Sequence, residues 1–177
     1  AENQVQDGDI IVLEGGTTVH MMARHLSQSG LTILTNGLRI LTDLVRLRED
    51  TVVMGSGGTV NYSGQIFVGP PAISFFSNFR AHKCFVGADG LTLEDGATEA
   101  GLSVNEIKCA MVAHSRETIL LIDSTKIGTS SLVPAIEAKD IAAVVTGKNA
   151  PQEILAGLVK MGGQVHTVSP AASFALR

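Results

Sequence analysis

Three short apolar runs, spaced by helix-length segments, constrain this chain more than any other feature. Ile10–Leu13, Leu31–Thr35 and Thr51–Met54 read as strands. The four apolar residues Ile10–Leu13 fit a parallel strand covered on both faces. After the first run, Val19, Met22, Ala23 and Leu26 fall at i, i+3, i+4 and i+7. That spacing predicts a helix from about Thr17 to Ser29, stopped by Gly30. After the second run, Asn36 is placed to cap a helix with Leu38, Leu41 and Val45 on one face. A βαβαβ order with short connections predicts a three-layer α/β/α sandwich around a mainly parallel, doubly wound sheet.

The remaining segments extend that pattern. Thr59 to Gly69 reads as one or two short strands, and Pro70-Pro71 opens a helix with Ile73, Phe75, Phe76 and Phe79 mostly buried. His82–Gly87 reads as a strand, Leu91 to Leu102 as a long loop, and Ser103 to His114 as a helix with Ile107, Ala110 and Met111 inward. Strands follow at Thr118–Ile122 and Ile141–Val145. Asn149 and Pro151 open a last helix closed by Gly162, and Gln164–Val168 is an edge strand. No repeat or linker divides the sequence, so residues 1–177 read as a single domain with room for one core. Ala1 to Gln6 look like the tail of something upstream.

Composition removes several function classes. The formal net charge is −4 with no basic run, Trp is absent and there is one Tyr, which argues against this domain holding nucleic acid itself. With 45% hydrophobic residues, disorder is not expected. No apolar run reaches the ~18 residues of a membrane span, and no signal peptide is visible, so a cytoplasmic location is expected. Cys84 and Cys109 sit in apolar surroundings and read as buried free thiols, with a disulfide or a reactive nucleophile as the alternatives. His20 and His25 lie five apart, a poor spacing for ligands on one helix face. Neither a metal site nor a cofactor is expected.

In open α/β sheets ligands bind outside the carboxyl ends of the strands. Five polar or glycine clusters fall there: Glu14-Gly15-Gly16-Thr17-Thr18, Thr35-Asn36, Gly57-Gly58, Asp89-Gly90, and Asp123 to Lys126. Each alone is ordinary turn chemistry; together at one rim they point to a ligand crevice. The glycine turn before Thr17 and Thr18 offers free N–H groups at a helix start, suited to phosphate. It also reads as a plain strand-to-helix turn with a Thr cap. Lys126 offers a flexible cation, or is a solvated surface lysine. Asp89 and Asp123 can accept hydrogen bonds from sugar hydroxyls, or stabilise turns. Glu106 and Lys108 are two apart on one helix and cannot face the same way. With Glu106 pointing into the crevice, Lys108 reaches along its edge.

These clusters, in this order and spacing, resemble the effector-sensing domain of DeoR-type bacterial transcriptional regulators. The resemblance runs from Asp7-Gly8-Asp9 to Val168 and rests on Gly16-Thr17-Thr18, Thr35-Asn36, Gly57-Gly58, Gly87-Ala88-Asp89-Gly90, Glu106 with Lys108, and Asp123-Ser124-Thr125-Lys126-Ile127-Gly128. It implies a fold like ribose-5-phosphate isomerase, a phosphorylated sugar as effector, and an N-terminal helix-turn-helix domain that is absent from this sequence and through which alone DNA would be bound. By position, phosphate would lie at Gly15 to Thr18. The sugar would be read by Asn36, Asp89, Glu106, Asp123 and Lys126. Thr146-Gly147-Lys148-Asn149-Ala150-Pro151 with Glu153-Ile154-Leu155 is similar to the branch regulating L-ascorbate use, which implies a sugar-acid phosphate such as ascorbate 6-phosphate. One departure is Glu14-Gly15, where the family commonly carries Asp-Ser.

Three functions are weighed on these residues. A non-catalytic sugar-phosphate sensor fits them best. An isomerase needs a base and an electrophile to stabilise an enediolate. The isomerases of this fold carry a Lys-Gly-Gly-Gly-Gly run where this chain reads Glu94-Asp95-Gly96-Ala97-Thr98-Glu99, with no lysine between Lys83 and Lys108. The third is an oligomerising scaffold. A homodimer or homotetramer is expected, because a near-palindromic operator needs two-fold symmetry. Ile66-Phe67-Val68 and Phe174-Ala175-Leu176 can supply contacts, the first equally a piece of core.

Overall fold

The computed structural model describes residues 4–169. Seven strands form one parallel sheet: β1 (Ile10–Leu13), β2 (Thr32–Thr35), β3 (Val52–Gly55), β6 (Ala81–Val86), β9 (Ser115–Leu121), β11 (Ala143–Gly147) and β12 (Gln164–Val168). Their order is β12-β11-β9-β6-β1-β2-β3. Successive strands therefore run outward from β1 to one side and from β6 to the other. The crevice between β1 and β6 is the switch point where such sheets bind ligands.

Five helices cover the two faces: α1 (Thr17–Ala23), α2 (Leu38–Leu47), α3 (Pro70–Ser77), α4 (Leu102–Ala113) and α5 (Gln152–Lys160). Val19, Met22, Ile40 and Leu44 of α1 and α2 pack with Ile11, Leu13, Ile33 and Phe85 on one face. Phe76, Ile107, Met111 and Leu155 of α3, α4 and α5 pack with Val12, Leu34, Cys84 and Val144 on the other. The alternation of inward residues along β1 and β2 explains both cores: each strand is buried twice. The expected three-layer sandwich with its parallel sheet is present.

Several local expectations are corrected. Helix α1 ends at Ala23 rather than Ser29. The Arg48 guanidinium donates to the carbonyls of Leu26 (2.6 Å) and Gln28, holding that segment in a turn. Leu26 still plugs the core. Helix α2 turns Ile40 and Leu44 inward, and Val45 is 65% exposed. Its apolar residues fall on more than one face, so periodicity alone could not choose. The cap position is Gly37, and Asn36 is used elsewhere.

The stretch Leu91 to Leu102 is not a loop. It holds the hairpin β7 (Gly90–Thr92) and β8 (Gly96–Glu99), which pairs antiparallel with an unanticipated strand, β10 (Val133–Ile136). Gly96 sits at φ +69°, and a side chain there would start 2.0 Å from the Ile136 carbonyl oxygen. These strands are too short for alternation to show in the sequence.

A second hairpin, β4 (Thr59–Asn61) and β5 (Ile66–Val68), resolves the Thr59–Gly69 stretch. Ile66 is buried there, with Phe67 and Val68 packed on the core. Phe174-Ala175-Leu176 lies outside the described residues. Both cysteines are free thiols, but only Cys84 is buried, and burial pushes its thiol up; Cys109 is exposed on α4.

At the amino end of β1, Asp9 accepts from Lys83 Nζ (2.8 Å) and the Gln6 N–H (3.0 Å), with His82 Nδ1 at 3.0 Å. Burial opposes its ionisation, but these partners outweigh burial and hold its carboxyl below the usual range. A depressed carboxylate pKa stabilises the fold above the unfolded value of about 4, and that stability is lost as pH falls through the folded value. Asp9→Asn is therefore expected to cost about 1–3 kcal/mol at pH near 7. The gap to the parent should narrow below about pH 4 in denaturant titrations. A gap that stays constant with pH would remove the ionised form from the account.

Candidate functional site

A cavity of about 540 Å³ opens at the carboxyl ends of β1, β6 and β9. Nine of the residues named from the sequence line it: Glu14, Gly15, Gly16, Thr17, Thr18, Asp89, Lys108, Asp123 and Lys126. The sheet itself brings them together. Glu14 follows β1, Asp89 follows β6, and Asp123 with Lys126 follow β9 in a short 3-10 turn.

The floor begins at the glycine turn. The Gly15 N–H donates to Asn36 Oδ1 (2.9 Å), while Asn36 Nδ2 donates to the Phe67 carbonyl (3.2 Å). Thr35 Oγ1 donates to the Leu13 carbonyl (2.7 Å) and accepts from the Gly37 N–H (3.0 Å). Thr35 and Asn36 are thus buried behind the wall, fastening the turn to β2 and β5. Gly16 provides no side-chain cap for α1. The first-turn N–H groups have no intrahelical acceptor, and Thr17 and Thr18 are exposed beside them.

The opposite wall is acidic, with one deeply buried cation. Lys108 is 1% exposed, and its ammonium meets Glu14 Oε1 (3.0 Å), Glu99 Oε1 and the Gly87 carbonyl. Glu14 Oε2 in turn accepts from the Gly87 N–H at 2.6 Å. An ammonium has three donors, so Lys108 is fully engaged. Burial alone would lower its pKa, but Glu14 and Glu99 reverse that and hold it above its ordinary value. Burial pushes the Glu99 carboxyl up, against the pull of Lys108. Lys126, with its side chain 44% exposed, donates to the Ala88 carbonyl (3.0 Å) and Asp89 Oδ1 (3.2 Å). Burial opposes ionisation of Asp89, but the Ala100 N–H and Lys126 outweigh it and keep its carboxyl low.

The placement of the other named residues differs from expectation. Glu106 is exposed on α4 and does not line the cavity; Lys108, expected at its edge, is the inward residue because it follows core-facing Ile107. Gly57 and Gly58 bend the chain from β3 into β4, where a Cβ on Gly58 would lie 2.7 Å from the Val68 carbonyl oxygen. Gly90 lets Thr129 approach, with its oxygen 2.4 Å from an added Cβ. None of these three glycines lines the cavity.

Sequence reasoning missed Glu99, Arg39 and Ser63-Gly64, all of which line it. Glu99 ends a hairpin whose short, polar, glycine-containing strands look like loop in the sequence. Arg39 lies one residue into α2, and its Nε donates to Gln65 Oε1 across to the second hairpin. No local signal marks either residue.

Comparison with known proteins agrees with this architecture. The model of the DeoR C terminal sensor domain matches residues 1–148. The chain is 33% identical over 154 residues to the lactose phosphotransferase system repressor of Staphylococcus epidermidis, covering 84% of this chain and 59% of that protein. It is 29% identical over 162 residues to the HTH-type transcriptional regulator UlaR of Salmonella newport, covering 92% and 63%. It therefore spans less than two thirds of these relatives. Ribose 5 phosphate isomerase A from Neisseria gonorrhoeae shares the fold, with a TM-score of 0.51 and 14% identity over 73% of this chain and 50% of that one. With a family model matched along most of its length, the chain belongs to the DeoR C-terminal sensor domain family.

Proposed function

We propose that this chain is the non-catalytic effector-binding part of a cytoplasmic transcriptional regulator of carbohydrate metabolism, and that its effector is a phosphorylated sugar or sugar acid. The observation that carries the reading is one cavity with two chemically distinct ends. Unpaired N–H groups and the hydroxyls of Thr17 and Thr18 suit a phosphate. Asp89, Asp123 and Lys126 across the crevice suit hydroxyls. DNA is bound by an N-terminal helix-turn-helix domain elsewhere in a longer protein, which acts as a homodimer or homotetramer. Relatives named as transcriptional regulators, one of them for a sugar phosphotransferase system, support this.

Two features favour sensing over catalysis. Lys108 has every donor taken by the chain itself, and Glu106 lies outside the cavity. Neither is placed to assist an enediolate. Conversion of an aldose phosphate to its ketose by the purified chain would overturn this assignment.

The test is thermal denaturation against a panel of sugar phosphates and phosphorylated sugar acids. A ligand at about 100 times its Kd adds about 2.7 kcal/mol, a rise on the order of 5–10 °C for a chain of this size. No rise with any member would reject the reading. Lys126→Ala is expected to weaken the active ligand about 10- to 100-fold, with the unliganded melting temperature little changed because the side chain is half exposed. Unchanged affinity would remove Lys126 from the site.

A further inference from the structure

On the acidic wall of the cavity, around the Lys108 ammonium, most polar atoms are engaged by the chain itself, and Glu99 is the exception. Lys108 donates to three acceptors of the chain. Both oxygens of Glu14 are engaged, by Lys108 and by the Gly87 N–H. Both oxygens of Asp89 are engaged, by Lys126 and by the Ala100 N–H. Glu99 is 5% exposed and gives one oxygen to Lys108; its other oxygen has no partner among the described residues. Glu99 lines the cavity, and this second oxygen is not among the described side-chain atoms closed off from solvent. It is therefore an open acceptor that the chain does not use and that the contents of the cavity can reach.

The charges around Glu99 decide what that donor is. From α4 it faces Lys108, from the turn after β1 Glu14, and from the turn after β6 Asp89. Asp123 and Lys126 after β9, and Arg39 of α2, share the same cavity. Two carboxylates against one saturated ammonium leave the Glu14–Lys108–Glu99 group with a net negative charge when all three are ionised. An anionic ligand group placed there meets repulsion and no free cation; a hydroxyl meets an acceptor.

We propose that Glu99 is the specificity-determining residue of this site: its unpaired oxygen accepts a hydrogen bond from a hydroxyl of a neutral polyol chain and excludes ligands that bring a carboxylate to that place. The proposal rests on the reading of the cavity as a sugar-phosphate site, and it narrows the effector to phosphorylated sugars whose far end is uncharged. It sets aside the sugar-acid phosphates that the residues around Thr146 had implied. Discrimination of this kind arises from a built-in repulsive element as much as from the attractive contact.

Matched ligands isolate the effect. Hexitol 6-phosphates of the gluco, galacto and manno series are compared by calorimetric titration with the corresponding 6-phosphoaldonates, which replace a terminal CH2OH by a carboxylate. The parent chain is expected to bind the preferred hexitol phosphate at least about tenfold more tightly than its aldonate. Glu99→Gln keeps the shape and an acceptor, removes the charge, and adds a donor; the ratio should fall to about one. An unchanged ratio in the variant, or a parent preference for the aldonate, overturns the proposal while leaving the sugar-phosphate reading intact. Binding of no member of any pair overturns both.

A second measurement needs no variant. Burial and the charges of Glu14 and Asp89 raise the Glu99 carboxyl, and Lys108 opposes them. As pH falls through the raised value of the Glu99 carboxyl, Glu99 takes up a proton and the repulsion fades, so the hexitol-to-aldonate ratio should shrink severalfold. Phosphate ionisation is common to both ligands and cancels. A ratio that does not move with pH would also overturn the proposal.

Discussion

Replacing Lys108 with methionine is expected to cost about 3–5 kcal/mol, the cost of breaking a buried ion pair from one side. Methionine fills much of the same volume, so the loss is electrostatic rather than a cavity effect. What remains is Glu14 at 6% and Glu99 at 5% exposure, facing one another without the ammonium. Glu14 keeps the Gly87 N–H, whereas Glu99 loses its one partner. The variant should respond to pH with a definite sign. Without Lys108, Glu99 moves further above its unfolded value of about 4.3. A raised carboxyl favours the protonated folded state, so stability is greatest at low pH and declines as pH rises through the folded value. Denaturant titrations at about pH 5 and about pH 8 should show a deficit that grows with pH. An equal deficit at both would mean that packing, not charge, sets the cost.

Gly15→Ala is expected to have the second largest effect, about 2–3 kcal/mol. A methyl at this position would sit 2.3 Å from Ile66 Cγ2 and 2.9 Å from the Gly37 Cα. The Ile66 side chain can rotate, but Gly37 is backbone and heads α2. The turns after β1 and β2 must therefore separate, stretching the Asn36 bond to the Gly15 N–H. Gly16→Ala is the matched control. Its methyl would meet only Glu14 Oε2, at 3.5 Å, so it should stay within about 1 kcal/mol of the parent. Equal melting temperatures for the two variants would contradict this account of the turn.

How far these features could be read from residue order depends on the range of the interactions that make them. Ile10–Leu13 is legible because burial on both faces leaves an unbroken apolar run, and Thr32–Thr35 because Ile33 and Leu34 sit between β-branched threonines at the expected spacing from it. The rim followed, since in a parallel sheet every strand's carboxyl end faces the same side, and Glu14, Asp89, Asp123 and Lys126 meet there for that reason alone. Glu99 was not legible. Its strand is four residues long and is buried by β10, from more than thirty residues away. Lys108 reads as an edge residue because it is two positions from Glu106, which reads as the inward one. Only the two carboxylates, Glu14 in the turn after β1 and Glu99 at the end of β8, make its burial tolerable. Asn36 has the chemistry of a helix cap, and the competing donor that claims it, the Gly15 N–H, belongs to another strand.

The division of the molecule into a large parallel sheet and a small antiparallel one has a consequence for how such sensors diversify. The phosphate-suited turn grows out of β1 and is locked to β2 by Asn36 and Thr35. The far end of the cavity is organised by the small sheet instead. The Asp89 N–H donates to Thr98, the Gly128 N–H donates to Leu91, and Leu91 bridges to Ile127 beside Lys126. Glu99 ends the same hairpin. Anchoring and discrimination thus rest on two different sheets that share one core, like a fixed socket and an interchangeable cartridge. Substitutions among residues 90–99 can retune which sugar is accepted while the strands beneath keep their registration, so new ligand preferences are accessible by small steps that leave the scaffold intact.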